Sequence, residues 1–95
     1  MRRMSKQQKT PVRMYSIPYC PFCVGAKQML DELQIQYEDI DISGEPDRRA
    51  FTAQILPGHY SAPLILIGDE PIGGYDELRA LHGGGELLPR IFEDA

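Results

Sequence analysis

The stretch SIPYCPFCVGAK, residues 16 to 27, holds the only two cysteines of this 95-residue chain, Cys20 and Cys23. Such a pair allows three interpretations: structural thiols in the core, half of a zinc site, or a redox couple. Pro21 follows Cys20, and proline is tolerated at the first position of a helix because that N–H has no helical partner. A helix is therefore predicted to begin at Pro21, with Cys20 at its N-terminal boundary.

This placement gives the two cysteines different chemical roles. The free N–H groups and the dipole of a helix N-terminus favour negative charge, so the Cys20 thiol is expected to ionise readily and act as a nucleophile. Cys23 lies about one turn further on the same face, where the Cα–Cα separation falls within the roughly 4.4–6.8 Å that a disulfide accepts. Cys20 can then attack a substrate disulfide, and Cys23 can displace the product from the mixed disulfide.

The other two interpretations of the pair receive less support. A structural zinc site needs four ligands, and the other soft candidates, His59 and His82, lack metal-finger spacing. Structural thiols are usually buried among apolar groups and would not need this placement at a helix boundary. Redox chemistry is the favoured interpretation, and no metal is expected.

Hydrophobic periodicity divides the chain in the order β-α-β-α-β-β-α. The predicted elements are a strand over Val12 to Tyr15, a helix from Pro21 to about Gln34, a strand in YEDIDI (37–42), a helix over Glu45 to Leu56, a buried strand LILI (64–67), a short strand around Ile72, a helix over Tyr75 to His82 and one or two helical turns in Glu86 to Phe92. Phe51 and Ile55 are expected to face inward. Because a strand-helix-strand opening favours parallel pairing and a tight turn favours an antiparallel closing pair, we predict an α/β fold with a mixed four-stranded sheet flanked by helices.

Composition narrows the class of protein. The net charge of −4 and the 25% of charged residues are ordinary for a globular domain, and the acidic balance argues against a nucleic-acid partner. The longest apolar run, Leu64 to Ile67, is too short to cross a bilayer, and no apolar segment typical of a secretory signal follows the basic N-terminus. Two cysteines do not make a disulfide scaffold, so a reducing, cytoplasmic compartment is expected.

The N-terminal segment differs from the rest in charge. Its basic residues, Arg2, Arg3, Lys6, Lys9 and Arg13, all precede the first acidic residue, Asp31. Residues 1–11 are predicted to form a flexible basic tail because they show no apolar periodicity; a targeting or nucleic-acid-binding tail is the alternative. Residues 12–95 are predicted to form a single domain, which we expect to be monomeric and to have no membrane partner.

Three segments, in order and at the expected spacing, resemble the dithiol class of the glutaredoxin family over about residues 12–92. YSIPYCPFC (15–23) resembles the strand and C-P-Y-C motif of that family. SAP (61–63) before LILIGDEPIGG resembles T-V-P before a buried strand and hairpin, and GGYDEL (73–78) resembles G-G-x-D-D/E-L. The resemblance implies a thioredoxin-like fold.

The resemblance also implies an activity. It is that of a glutathione-dependent thiol–disulfide oxidoreductase, which reduces protein disulfides and protein–glutathione mixed disulfides through Cys20 and Cys23. No cofactor would be bound permanently, and glutathione would serve as reductant and co-substrate. The expected partners are glutathione and proteins that carry disulfides or bound glutathione.

Seven residues match the glutathione-binding positions of the family. They are Tyr19, Phe22, Ala62, Pro63, Gly74, Tyr75 and Asp76. By the resemblance, Pro63 is a cis-proline that exposes the Ala62 backbone to the cysteinyl part of glutathione. Gly73 and Gly74 allow close approach of the ligand, and Tyr75 and Asp76 hold the γ-glutamyl carboxylate and ammonium groups. Phe22 replaces the commoner tyrosine, and Tyr19 is assigned to the cleft wall.

Two departures from the family pattern concern the reductant. The family usually carries lysine where this chain has Ile17, and losing one partly exposed ion pair should weaken glutathione binding by about 0.5–1 kcal/mol. His59 is the nearest counterpart of a polar residue that touches the glycine carboxylate. One alternative is therefore a redoxin recharged by a thioredoxin reductase. Another is an iron–sulfur carrier, which Pro21 and the second active cysteine disfavour.

Overall fold

The structure, a computed structural model, describes residues 7–92. Its elements in chain order are β1 (Val12–Ser16), α1 (Pro21–Glu32), β2 (Glu38–Asp41), α2 (Arg48–Ile55), β3 (Leu64–Ile67), β4 (Glu70–Gly73), α3 (Tyr75–Gly83) and α4 (Leu87–Ile91). The predicted order of strands and helices is confirmed, and the helical turns predicted after the last glycines form α4.

The four strands form one mixed sheet in the order β2-β1-β3-β4. β1 is parallel to β2 and antiparallel to β3, and β3 is antiparallel to β4. Tyr15, near the end of β1, lies opposite Leu64, the first residue of β3. The segment that follows β1 and leads to Cys20 therefore lies next to the segment that contains Pro63 and leads into β3. Both lie at the same end of the two central strands. This register brings the two motifs together although about forty residues separate them.

Helix α1 begins where the sequence predicts. Cys20 is its N-cap residue, with an extended backbone (φ −110°, ψ 110°), and Pro21 is its first residue. The helix ends at Glu32 rather than at about Gln34, because Gln34 adopts a left-handed backbone with φ 59°. Ala26 and Leu30 point into the core.

Helix α2 corrects two expectations. It begins at Arg48 rather than Glu45, because the Asp47 carboxylate caps it by accepting the Ala50 N–H at 3.1 Å. Phe51 and Ile55, expected to face inward, are only half-buried. Phe51 packs edge-on against Tyr15, with 5.3 Å between ring centroids.

The buried residue of α2 is a threonine. The Thr52 hydroxyl donates a hydrogen bond of 2.8 Å to the His59 carbonyl oxygen, in the loop that leads to Pro63. A buried polar group is inexpensive only when it is hydrogen-bonded, and this bond satisfies it. The side chain that α2 buries thus fixes the loop beside the cysteines.

One hydrophobic cluster joins one face of the sheet to α1, α3 and α4. Its buried members are Val12, Met14, Ala26, Leu30, Ile35, Ile65, Ile67, Leu78, Leu87 and Ile91. All four residues of β3 are buried, as the LILI run predicts. Within residues 7–92, no helix has the length and apolar character needed to cross a membrane.

The predicted N-terminal tail lies only partly within the described residues. Residues 1–6 fall outside them. Gln8 donates a side-chain hydrogen bond of 2.8 Å to the Gln36 carbonyl, and the Lys9 N–H donates to the Ile91 carbonyl at 2.8 Å. These bonds join the end of the predicted tail to the loop before β2 and to α4.

Leu30→Ala should destabilise the protein by about 2–5 kcal/mol, because it leaves a cavity between α1 and the sheet. Gln28→Ala, at an exposed position of the same helix, is the control and should change the stability by less than about 0.5 kcal/mol. Urea unfolding followed by circular dichroism measures both. Equal effects of the two substitutions would contradict this description of the core.

Candidate active site

The Cys20 sulfur lies between two backbone groups from different parts of the chain. It accepts a hydrogen bond of 3.2 Å from the Cys23 N–H in the first turn of α1. Its thiol also lies 3.7 Å from the Ala62 carbonyl oxygen, to which it donates. An N–H aimed at sulfur from a helix N-terminus stabilises negative charge there, which is what a nucleophilic thiolate requires.

Cys23 occupies a more enclosed position than Cys20. Cys20 is 8% exposed and Cys23 only 1%, so an incoming disulfide reaches Cys20 first. Burial, reinforced by a hydrogen bond with Cys20, raises the pKa of the Cys23 thiol from 9.0 to about 12. The two cysteines are free thiols with different access to solvent. This difference suits an attacking thiol at Cys20 and a resolving thiol at Cys23.

The segment before β3 forms the wall opposite the cysteines. The Ala62–Pro63 peptide bond is cis, as the sequence resemblance implies. The His59 ring lies against this wall, and its Nε2 donates a hydrogen bond of 3.0 Å to the Pro63 carbonyl oxygen. A carbonyl only accepts, so His59 carries its proton on Nε2.

A small groove of about 140 Å³, called here the Pro63 groove, runs from this wall to the start of α3. Its lining residues are Phe22, His59, Ser61, Ala62, Pro63, Gly74, Tyr75, Asp76 and Glu77. A Cβ atom added at Gly74 would lie 3.2 Å from the Pro63 carbonyl oxygen, so glycine permits the close approach. The first N–H groups of α3 have no helical acceptor and are available to an anion. The groove therefore offers N–H donors beside the Asp76 carboxylate.

A second groove, about 420 Å³ in volume, lies on the other side of Ala62 and is called here the Arg49 groove. Its lining residues are Ile17, Ile42, Pro46, Asp47, Arg48, Arg49, Thr52, Tyr60, Ser61 and Ala62. The Arg49 guanidinium lies 5.4 Å from the centre of the Tyr60 ring, a cation–π distance. Both grooves include Ser61 and Ala62. Because the Ala62 carbonyl oxygen lies 3.7 Å from the Cys20 sulfur, the two grooves adjoin each other beside that sulfur.

Comparison with known proteins identifies the family. The sequence model of the glutaredoxin family matches residues 12–72. A glutaredoxin of Solanum lycopersicum is 36% identical over 85 residues, which cover 87% of this chain and 79% of that protein. A glutaredoxin of Pseudomonas aeruginosa is 38% identical over 77 residues, 81% of this chain and 90% of that protein. The chain belongs to the glutaredoxin family.

A solved glutaredoxin structure agrees in fold. The buckwheat glutaredoxin–glutathione complex superposes with a TM-score of 0.78 at 30% identity and covers 86% of this chain and 76% of its own. The fold is thioredoxin-like, as predicted. Members of the glutaredoxin family are thiol–disulfide oxidoreductases, and this chain is one of them.

The predicted site residues do not all lie together. Six of the seven residues predicted to bind glutathione line the Pro63 groove: Phe22, Ala62, Pro63, Gly74, Tyr75 and Asp76. Tyr19 lines neither groove: it has a left-handed backbone (φ 59°), and its side chain is fully exposed. His59, the expected counterpart for a glycine carboxylate, lines the Pro63 groove and not the Arg49 groove.

Sequence reasoning overlooked three charged groups that line the two grooves. Arg48 and Arg49 line the groove beside Ile17, and the only sequence signal was their position directly after the cap residue Asp47. Glu77 accepts the Gly74 N–H at 2.7 Å, a contact that its place three residues after the N-cap could have indicated.

The positions of the possible ligands also bear on the zinc interpretation. Among residues 7–92, no three His, Cys, Asp or Glu side chains are grouped as ligands for a metal ion. His82 lies in the last turn of α3 and lines neither of the two grooves beside Cys20.

Brief treatment of the reduced native protein with iodoacetamide at pH 8 should alkylate Cys20 and leave Cys23 unmodified. With a pKa of about 12, only about one Cys23 thiol in ten thousand is ionised at this pH, and the sulfur is buried. Peptide mass spectrometry identifies the modified residue, and the unfolded protein, in which both thiols should react, is the control. Preferential alkylation of Cys23 in the native protein would contradict the assigned difference between the thiols.

Proposed function

We propose that this glutaredoxin uses glutathione to reduce protein–glutathione mixed disulfides and protein disulfides, with Cys20 as nucleophile and Cys23 as resolving thiol. The observation that carries the proposal is the meeting of two chemically different grooves beside the Cys20 sulfur. One presents arginines, and the other presents helix N–H groups next to a carboxylate. Glutathione has a carboxylate at its glycine end and both a carboxylate and an ammonium group at its γ-glutamyl end.

The Pro63 groove suits the γ-glutamyl end. The free N–H groups of Tyr75 and Asp76 at the start of α3 would bind its carboxylate, and the Asp76 carboxylate would bind its ammonium group. Gly74 keeps the wall open because a side chain there would meet the Pro63 carbonyl. Phe22, which lines the same groove, would cover the bound peptide.

The cysteinyl part of glutathione would lie between the two grooves. Its backbone would pair with that of Ala62 as an added strand, and its sulfur would then sit next to Cys20. The solved glutathione complex of the buckwheat relative supports glutathione as the ligand of this cleft.

The Arg49 groove suits the glycine carboxylate. Ile17 removes the cation that the family usually carries, but Arg48 and Arg49 line the same groove. The Tyr60 ring packs against the Arg49 guanidinium, which limits the entropy that this side chain loses on binding. We propose that these arginines replace the missing lysine.

The reaction follows from these positions. The Cys20 thiolate attacks the glutathione sulfur of a mixed disulfide; the protein thiolate leaves and takes up a proton. A glutathione thiolate can then attack the disulfide on Cys20 and release oxidised glutathione. Alternatively, Cys23 releases glutathione by forming the disulfide with Cys20, which two further glutathione molecules reduce.

Protein substrates would approach over the exposed aromatic side chains around Cys20. Tyr19, Phe22 and Tyr60 are all more than half exposed there. Both grooves are lined by one chain, so we propose that the protein works as a monomer. Its two free thiols fit a reducing compartment, and we propose the cytoplasm.

Substitution of each cysteine tests the proposed roles. Cys20→Ser should abolish glutathione-coupled reduction of a glutathionylated peptide, because no other thiol in the site is accessible. Cys23→Ser should keep this activity, since free glutathione can complete the cycle, but should lose reduction of protein disulfides. Assays coupled to glutathione reductase measure both reactions. An active Cys20→Ser variant would show that the nucleophile is assigned wrongly.

Removal of the arginines tests the glutathione assignment. Arg48→Met combined with Arg49→Met should raise the KM for glutathione about threefold to fivefold, as expected for partly exposed ion pairs. Ile17→Lys in this background should restore most of the loss. Arg90→Met, which removes a cation paired with Glu70 away from both grooves, is the control and should leave the KM unchanged. An unaltered KM in the double variant would rule out this site for the glycine carboxylate.

A further inference from the structure

The burial of Cys23 creates a requirement that neither of the two grooves satisfies. A thiol resolves a mixed disulfide only as the thiolate, and at 1% exposure Cys23 has almost no water to stabilise that charge. Burial raises its pKa to about 12. A resolving step at neutral pH therefore needs a source of positive potential near the Cys23 sulfur as the charge forms.

Lys27 is the cation in position to supply this potential, and its charge lowers the pKa of the Cys23 thiol against the larger effect of burial. It lies four residues after Cys23 in α1, so the two side chains are neighbours on one helix face, about 5–6 Å apart at their Cβ atoms. The Lys27 side chain is 33% exposed, which leaves its charge only partly screened by solvent. The opposite charge on a Cys23 thiolate would in turn favour the protonated form of Lys27.

An ion pair and a hydrogen bond hold the Lys27 side chain in place. Its Nζ lies 2.7 Å from a carboxylate oxygen of Asp39 in β2. The other oxygen of Asp39 accepts a hydrogen bond from the hydroxyl of Ser16, a buried residue at the end of β1. The backbone of the next residue, Ile17, lowers the pKa of the Cys23 thiol. The network therefore links the lysine to Ser16 at the end of β1, next to the residue whose backbone favours the Cys23 thiolate.

Few other charged groups lie near this network. Cys20 interacts directly with Cys23 from the start of α1. Tyr37 and Asp41, on either side of Asp39, interact with Lys27. The hydrogen bond with Asp39 raises the pKa of Lys27, so this lysine stays protonated and acts by its charge.

We propose that Lys27 is a positioning residue for the resolving step, in which its ammonium group, held by Asp39, stabilises the negative charge that develops on the Cys23 sulfur. The proposal deepens the function proposed above and rests on the roles given there to the two cysteines.

The step balances as a thiol–disulfide exchange. Cys23 loses its proton, and its thiolate attacks the Cys20 sulfur of the mixed disulfide. The Cys20–Cys23 disulfide forms while the bond between Cys20 and the substrate sulfur breaks. The leaving thiolate takes up a proton, so the cysteine pair is oxidised and the substrate sulfur is reduced.

A glutathione-free experiment isolates this step. The reduced protein is mixed rapidly with dithiobis(nitrobenzoate), whose thiol product is coloured. Attack by Cys20 releases the first nitrobenzoate thiolate at a rate proportional to reagent concentration. Resolution by Cys23 then releases the second at a rate independent of it, and Cys23→Ser should lack this second phase.

Lys27→Met should slow the second phase about threefold to fivefold, the effect expected for one partly exposed charge, and leave the first phase unchanged. Lys27→Arg keeps the charge and should retain the rate of the second phase. Arg13→Met is the matched control: its side chain is 37% exposed and pairs with Asp69 at the opposite end of β1, so both phases should be unaffected. Thermal unfolding of each variant verifies that the fold is intact.

Varying the salt concentration distinguishes an effect of the Lys27 charge from an effect of its packing. The Debye length falls from about 30 Å at 0.01 M to about 3 Å at 1 M salt, so the difference between wild type and Lys27→Met should shrink at high salt. A second phase unchanged in Lys27→Met, or equally slow in Lys27→Arg, would overturn the proposal, as would a difference that salt does not alter. Absence of the first phase in the wild type would instead contradict the role of Cys20.

Discussion

The hydrogen bond from the Cys23 N–H to the Cys20 sulfur is the interaction around which the site is built. This bond exists because α1 begins at Pro21 and leaves its early N–H groups free, so a sulfur at the N-cap supplies an acceptor that the helix otherwise lacks. The Ala62 carbonyl approaches the same atom from the far side. The reactive sulfur is thus held by backbone groups on both sides, and neither contact requires a particular side chain.

The two cysteines of the motif are the same residue type but have different environments once the chain folds. Cys20 is the N-cap residue of α1, and Cys23, one turn later, is a buried residue within the helix. The helix period alone accounts for this difference, because the first residue of the motif precedes the helix and the fourth is already inside it. Accessibility then sets the order in which the two sulfurs can react.

Local patterns predicted the elements and the cysteine geometry well. Pro21 indicated the start of α1, and the LILI run indicated the buried strand β3, because both signals depend on residues close together in the chain. The parallel pairing of β1 with β2 and the antiparallel pairing of β3 with β4 were predicted from their connections, whereas the antiparallel pairing of β1 with β3 was not predicted. The resemblance to the glutaredoxins supplied the cis peptide at Pro63, which composition and periodicity could not have indicated.

The residues that were missed depend on contacts between distant segments. Nothing around Thr52 shows that its hydroxyl will bind the carbonyl of a loop residue, so the apolar Phe51 and Ile55 were expected to face inward. The ion pair between Lys27 and Asp39 joins α1 to β2, two elements whose contact is not visible in the local sequence. Such charges look like ordinary solvent-exposed residues until the packing of the helix on the sheet is known.

The Glu77 side chain lies against the glycine pair at the end of β4, Gly73 and Gly74. Its carboxylate already accepts the Gly74 N–H, and a Cβ atom at Gly73, where φ is +118°, would come within 2.7 Å of that side chain. Gly73 therefore makes room for the protein's own carboxylate. Because that donor is occupied, an incoming carboxylate has to engage the helix one residue later, so the protein itself sets where along α3 an anionic group can rest.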